Sequence, residues 1–207
     1  MSARTFVKIC GVTSVADALM AVEAGADAVG LNFYPKSSRY LTVAKAKAIV
    51  DALPPFVWAV GVFVNAPLEK VRAVKGQVGL DVVQFHGDER PTTVRGCPGR
   101  TMKALHVADA PIDALARGFT SVDALVLDAA QPGYGGGGAT FDWALARSLA
   151  SQRPILLAGG LTPDNVGKAV KTVRPFGVDV ASGVESKPGI KDARKVAAFI
   201  RAARSTP

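Results

Sequence analysis

Residues 5 to 22 read Thr5-Phe6-Val7-Lys8-Ile9-Cys10-Gly11-Val12-Thr13-Ser14-Val15-Ala16-Asp17-Ala18-Leu19-Met20-Ala21-Val22. A short apolar run, Thr5 to Ile9, ends at Cys10-Gly11. A helix pattern begins behind Ser14: Val15, Ala18, Leu19 and Val22 fall at helical spacing, and Asp17 is placed to close a capping box. The stretch therefore predicts a strand, a tight turn and a helix. An open doubly wound sheet usually carries a Gly-rich dinucleotide turn after its first strand, and Cys10-Gly11-Val12-Thr13 is not one.

The same unit recurs down the chain. Further strand-like runs are Ala28 to Phe33, Val57 to Val64, Val82 to Phe85, Thr101 to Leu105, Ala124 to Leu127, Ile155 to Leu157 and Val178 to Ala181, which makes eight. Helix starts are legible at Thr42, at Pro67 and Pro163 as first helical residues, and around Trp143; the helices between Asp88 and Gly118 are the least distinct. Dividing 207 residues by eight gives about 26 per unit, close to a strand of about 5, a helix of about 11 and two loops of about 4. Strand–helix alternation of this kind implies a parallel sheet with helices outside, and closing eight strands leaves no exposed edge. The expected architecture is α/β: one (β/α)8 TIM barrel with eight parallel strands, a single domain over residues 1–207, near the minimum size for the fold.

Composition agrees with a globular chain: 49% apolar and 20% charged. No apolar run approaches the roughly 20 residues that span a bilayer, and the start lacks the order of a signal peptide. Two cysteines, Cys10 and Cys97, do not make a disulfide framework, so a soluble, reduced, cytoplasmic protein is expected. Net charge is +8, and much of the excess lies near the C-terminus, where Lys187, Lys191, Arg194, Lys195, Arg201 and Arg204 face only Asp192. Val196, Phe199, Ile200 and Ala203 form an apolar stripe in the same segment, which reads as a helix with a solvated basic face. No aromatic residues alternate with the cations, so nucleic acid is not an expected partner.

In such a barrel, reactive groups lie at the carboxyl ends of the strands, and the loops after strands seven and eight commonly take phosphate. Alternation puts Lys8 and Cys10 on one face of the first strand; a thiol at the mouth beside a cation has an increased thiolate fraction and can act as a base, although free cysteine is also a common core residue. Asp128 ends the sixth run and becomes a candidate acid if paired across the mouth with Cys10; alone it could cap a turn. Asp179 in the eighth run is expected to pair with Lys8 or Lys103. Ala158-Gly159-Gly160-Leu161 and Ala181-Ser182-Gly183-Val184-Glu185 offer small residues where backbone N–H groups can approach an anion. Pro132 to Trp143 contains four consecutive glycines, Gly135 to Gly138, as a mobile lid or a bland loop would. Arg39, after the Tyr34-Pro35 corner, either clamps a carboxylate or faces solvent. Gln84 and His86 share a face, and His86 is a structural hydrogen-bonding group or a catalyst. No His, Cys and Asp set has metal-ligand spacing; with only His86 and His106 in the chain, no metal is expected.

These segments together resemble the phosphoribosylanthranilate isomerase family of tryptophan biosynthesis, over nearly the whole chain. The resemblance is carried by Lys8-Ile9-Cys10-Gly11, Phe33-Tyr34-Pro35-Lys36-Ser37-Ser38-Arg39-Tyr40, Gln84-Phe85-His86-Gly87, Leu127-Asp128, Thr140-Phe141-Asp142-Trp143, Ala158 to Val166 and Val178 to Gly189; residues 90 to 123 carry little of it. It implies an Amadori rearrangement of an aminoaldose to an aminoketose, N-(5'-phosphoribosyl)anthranilate to 1-(o-carboxyphenylamino)-1-deoxyribulose 5-phosphate. It further implies Asp128 as general acid and Cys10 as general base. Arg39 would hold the anthranilate carboxylate and the loops at Gly159-Gly160 and Ser182-Gly183 the phosphate, with His86 and Asp179 completing the substrate site. No cofactor is implied, because the imine formed on the substrate's own nitrogen is the electron sink. The partner would be this small phosphosugar, not a membrane or nucleic acid, and the chain a monomer or homodimer.

Three other readings fit parts of the pattern. The histidine-pathway isomerase runs the same rearrangement, but its resemblance calls for Asp where this chain has Cys10; a dual activity stays open. Indole-glycerol-phosphate synthase shares the architecture without its Lys and Glu pattern being found here. A non-catalytic phosphosugar-binding barrel would need the phosphate loops but has no use for both Cys10 and Asp128.

Overall fold

A computed structural model describes residues 4–107, 112–129, 143 and 146–205. Eight parallel strands close into a barrel in the order of the chain: β1 Phe6–Cys10, β2 Ala28–Asn32, β3 Trp58–Phe63, β4 Val82–Phe85, β5 Arg100–Val107, β6 Ala124–Ala129, β7 Ile155–Leu157 and β8 Gly177–Val180. The expected (β/α)8 barrel is the observed fold, and the eight apolar runs match the eight strands to within a few residues at each end.

Side-chain alternation around the ring explains why these runs look continuously apolar. On β1 to β7 the even-numbered residues point into the barrel, where Ala28, Val60, Val82, Met102, Val126 and Leu156 pack together, whereas on β8 the parity is offset by one, so that Asp179 points in and Val178 packs outward. Odd-numbered residues such as Val7, Ile9, Leu31, Phe63, Leu125 and Leu157 form a second, larger core against the helices. Both faces are dry, so polar residues stand out where they occur. Each fully buried Ile or Leu contributes about 1.5–3 kcal/mol by leaving water.

The outer helices are α1 Val15–Glu23, α2 Val43–Ala52, α3 Leu68–Val78, α4 Pro91–Arg95, α5 Ile112–Ala116, α6 Ala146–Gln152, α7 Val166–Val173 and α8 Ala193–Arg204. Ser14 caps α1 by accepting from Asp17 N at 3.1 Å, and Thr42 caps α2 by accepting from Lys45 N at 3.3 Å. The expected capping box is not closed: the Asp17 carboxylate accepts instead from the backbone N of Lys191, at 3.1 Å. Pro67 and Pro163 precede the first helical residues rather than occupying them; α3 starts at Leu68 and α7 at Val166. α4 and α5 have five residues each, too short to leave a helical period in the sequence. The stripe of α8 is buried as read, with Asp192 as its cap. A small antiparallel hairpin that the sequence reading did not anticipate, β9 Glu185–Lys187 and β10 Ile190–Lys191, leads into α8.

Candidate active site

The inward layer nearest the carboxyl ends of the strands is polar. Lys8 is fully buried and lies in register with Asp179 on the adjacent strand; Lys8 Nζ donates to Asp179 Oδ2 at 2.8 Å. Of the two expected partners for Asp179, Lys103 is therefore not used. It is odd-numbered, points outward and meets Glu89 at 2.9 Å. Burial alone would push the Lys8 ammonium down, but Asp179 and the sulfur of Cys10 reverse this and hold it above its ordinary value. A paired, charged lysine is thus fixed one layer beneath Cys10.

Cys10 ends β1 and sits in register with Gly30 of β2. A Cβ on Gly30 would lie 2.7 Å from Cys10 Sγ, so glycine there makes the room in which the thiol stands. The sequence reading expected the nearby cation to favour thiolate. In the structure, burial and the Asp179 charge outweigh Lys8 and Lys191, and the thiol is pushed up instead. The neutral thiol is the resting form, and its thiolate is a strong base.

Across the mouth, Asp128 of β6 is buried, with Oδ2 3.2 Å from His86 Nε2. Gln84, wholly buried on β4, places its side-chain N 2.9 Å from His86 Nδ1. With that amide orientation Gln84 donates to Nδ1, and His86 Nε2–H donates to Asp128 Oδ2. Oδ1 lies on the Gly159 side, where a Cβ on that glycine would come within 2.8 Å of it. His106, in register with Asp128, places Nε2 3.1 Å from the carbonyl oxygen of His86; burial and the neighbouring His86 push its imidazole below the ordinary value. Donor atoms of His86, His106 and Asp128 all lie within 4.8 Å of one another. Sequence spacing could not show this convergence, because the three come from three neighbouring strands.

Arg39 at the rim neither faces solvent nor stands free. Its Nε and Nη2 both donate to Glu185, each at 2.7 Å, and Glu185 also accepts from the buried Lys191 at 2.9 Å. The stem of Arg39 crosses Gly11, whose φ of +70° and lack of a Cβ allow the crossing. Burial would raise the Glu185 carboxyl, but hydrogen bonds from Arg39 and Lys191 hold it below its ordinary value. Two-point clamping of a ligand through the Nε–Nη2 edge is thus unavailable in this state; the Nη1 side remains. Sequence reasoning missed Glu185 and Lys191 as site residues. Lys191, expected on the solvated basic face, is buried and donates to Ala181 O at 3.0 Å.

After β7, Asn165 shapes the turn by donating to Gly160 O at 2.9 Å and accepting from Thr162 N at 2.8 Å. After β8, Ser182–Val184 form a single 3-10 turn against the β7 loop. Both loops, with Cys10, Arg39, His86, Asp128 and Asp179, line one open cavity of about 350 Å³. The glycine-rich stretch Gly135 to Gly138, expected as a lid, lies outside the described residues. Both Cys10 and Cys97 are free thiols.

A parallel eight-stranded barrel with its cavity over the carboxyl ends of the strands defines the chain as a (β/α)8-barrel protein. The family model for N-(5'-phosphoribosyl)anthranilate (PRA) isomerase matches residues 7–202, and the chain belongs to that family. It is 53% identical over 203 residues to the N-(5'-phosphoribosyl)anthranilate isomerase of Myxococcus xanthus (strain DK1622), covering 96% of each chain. Its fold is similar to the crystal structure of phosphoribosyl anthranilate isomerase from Thermotoga maritima, with a TM-score of 0.92, 45% identity, and 97% of this chain and 99% of that one covered. A phosphoribosyl anthranilate isomerase solved in complex with reduced 1-(o-carboxyphenylamino)-1-deoxyribulose 5-phosphate gives a TM-score of 0.88 at 42% identity, with 97% and 99% covered.

Proposed function

We propose that this chain is an N-(5'-phosphoribosyl)anthranilate isomerase of tryptophan biosynthesis, and that Cys10 and Asp128 perform its proton transfers. The reading rests on one observation above the others: a thiol on β1 and a carboxyl on β6 line the same sugar-sized cavity. Asp128 protonates the ring oxygen of the ribose, and the bond from that oxygen to the first sugar carbon breaks as the anthranilate nitrogen forms a protonated imine to the same carbon. Cys10, as thiolate, removes the proton from the carbon next to that imine. The enolamine formed then takes a proton at the first sugar carbon, gives up the proton of the hydroxyl on the second, and becomes the aminoketose. The imine accepts the electron pair, so the scheme is complete without a cofactor.

Substrate is held by charge and by backbone. The loops at Gly159-Gly160 and Ser182-Gly183 receive the phosphate; Arg39, held by Glu185, presents Nη1 toward the anthranilate carboxylate. Asp179 acts through Lys8 as a support beneath the thiol, and His86 orients Asp128. The net charge of +8 favours capture of so anionic a substrate. The reading places the chain in the cytoplasm, the reducing compartment that suits a working free thiol. Among the described residues, no helix is long and apolar enough to cross a membrane.

We also infer a homodimer joined through the pole at the amino ends of the strands. Phe56 there is 96% exposed and Phe176 54% exposed, and Phe176 stacks on Phe6 with ring centroids 5.5 Å apart. A relative from Thermotoga maritima is described as dimeric.

The activity is tested by mixing the purified protein with phosphoribosyl anthranilate and following loss of its fluorescence, with the phosphoribosyl formimino substrate of the histidine pathway in parallel. Turnover of the first alone is expected. Turnover of both would make the enzyme dual, and turnover of neither would leave a phosphosugar-binding barrel.

A further inference from the structure

We propose that His86, His106 and Asp128 form a binding site for one Zn2+ ion, and that an ion bound there shuts the enzyme off by occupying Asp128. Two imidazole nitrogens and one carboxylate oxygen suit a borderline divalent transition metal; Mg2+ and Ca2+ prefer sites built from oxygen. A tetrahedral zinc site with bonds of about 2.0–2.2 Å holds its donors roughly 3.3–3.5 Å apart. His86 Nε2 and Asp128 Oδ2 already stand 3.2 Å apart, and all three donor atoms lie within 4.8 Å of one another. His106 is the register partner of Asp128 on the neighbouring strand, so small side-chain rotations close the set on a rigid frame.

The surroundings carry the proposal further. Ligating histidines characteristically donate their other ring N–H to a carbonyl or carboxylate. His106 has that arrangement, with Nε2 3.1 Å from the carbonyl oxygen of His86. His86 has a comparable support in Gln84. An ion on His86 Nε2 requires the ring proton to sit on Nδ1, which faces the Gln84 amide 2.9 Å away. Gln84 is wholly buried, and its Oε1 has no hydrogen-bond partner. Half a turn of the amide brings Oε1 onto the Nδ1–H, so the ion would supply a partner for an otherwise orphaned atom. His86 and Asp128 line the cavity, so the ion enters by the substrate's route and its fourth position faces the substrate.

Inhibition rests on the reading of Asp128 as the acid; binding does not. The competing donor is the Cys10 thiol in the same cavity, and the experiment removes it. Metal-free wild-type, Cys10→Ser, Cys10→Ser/His106→Gln and Cys10→Ser/Gln84→Met proteins are titrated with Co2+, read by the visible absorption of a tetrahedral site, and with Zn2+ by calorimetry. One ion per chain is expected in Cys10→Ser, with affinity lower by about 10–100-fold or more in the His106→Gln and Gln84→Met forms, and no comparable binding of Mg2+. Variants are compared only when their circular dichroism matches that of the wild type, and either one suffices. No stoichiometric ion in Cys10→Ser, or unchanged affinity in a folded variant, overturns the site. In turnover assays Zn2+ should compete with substrate. His106→Gln, with Cys10 intact, should lose about tenfold in sensitivity to Zn2+ when its turnover is measured relative to its own metal-free rate. An ion that binds as described yet leaves turnover intact upholds the site and instead removes Asp128 from its role as acid.

Discussion

At the scale of single residues, burial and neighbouring charge set the proton affinity of the Cys10 thiol. Burial pushes the Cys10 thiol up despite Lys8 beneath it, so the reactive thiolate is a minor form at neutral pH. Turnover should therefore rise by about tenfold per pH unit from neutrality toward the thiol's own raised value. The sign for stability is opposite: the unfolded thiol ionises first, so Cys10's contribution to folding falls as pH rises past the ordinary value of 9.0. A pH–rate profile from 6 to 10 checks the first point, and a flat profile contradicts it. Glu185 presents the other residue-scale case, because it holds two donors of Arg39. Glu185→Gln should raise KM several-fold with kcat little changed, as should Arg39→Ala; steady-state kinetics that show a kcat loss alone would contradict both roles. Cys10, Asp128 and Asp179 could be read from the sequence because a polar residue ending an apolar strand is conspicuous. Glu185 could not, since its meaning depends on Arg39, 146 residues earlier.

At the scale of elements, strand pairing fixes the site more tightly than the loops do. Lys8 faces Asp179, Cys10 faces Gly30 and His106 faces Asp128 because β1 with β8, β1 with β2, and β5 with β6 are in those registers. Gly30→Ala would force a methyl to 2.7 Å from the sulfur and 3.0 Å from the Cys10 backbone. It should cost about 1–3 kcal/mol of stability and lower kcat, and thermal melts with kinetics on the same preparation measure both. A variant with wild-type melting and turnover would show that the register does not confine the thiol. The strands were legible because both faces are buried, which makes each a compact apolar run. α4 and α5 were not, at five residues each, nor was the β9–β10 hairpin, whose strands are three and two residues long.

At the scale of the whole molecule, the barrel separates its two poles. One bears the cavity and its charged groups; the other bears Phe6, Trp58, Phe176 and the exposed Phe56. Some of the basic excess near the C-terminus also proves to be internal mortar: Lys191 pairs with Glu185, and Arg204 with Asp27 at 2.8 Å. If the apolar pole is a dimer face, sedimentation should give a dimer for the natural sequence and a folded monomer for Phe56→Ser; an unchanged mass in the variant would place the contact elsewhere. The closure of the barrel was legible in the repeat of eight units, whereas the convergence of thiol and carboxyl over one cavity needed the ring to be closed in space. The most direct test of that convergence is turnover of phosphoribosyl anthranilate by Cys10→Ser, Asp128→Asn and the double variant, with substrate binding measured alongside. Each single change should lower kcat by about 10² to 10⁴ with binding nearly unchanged; a double variant that turns over at the natural rate would contradict the account.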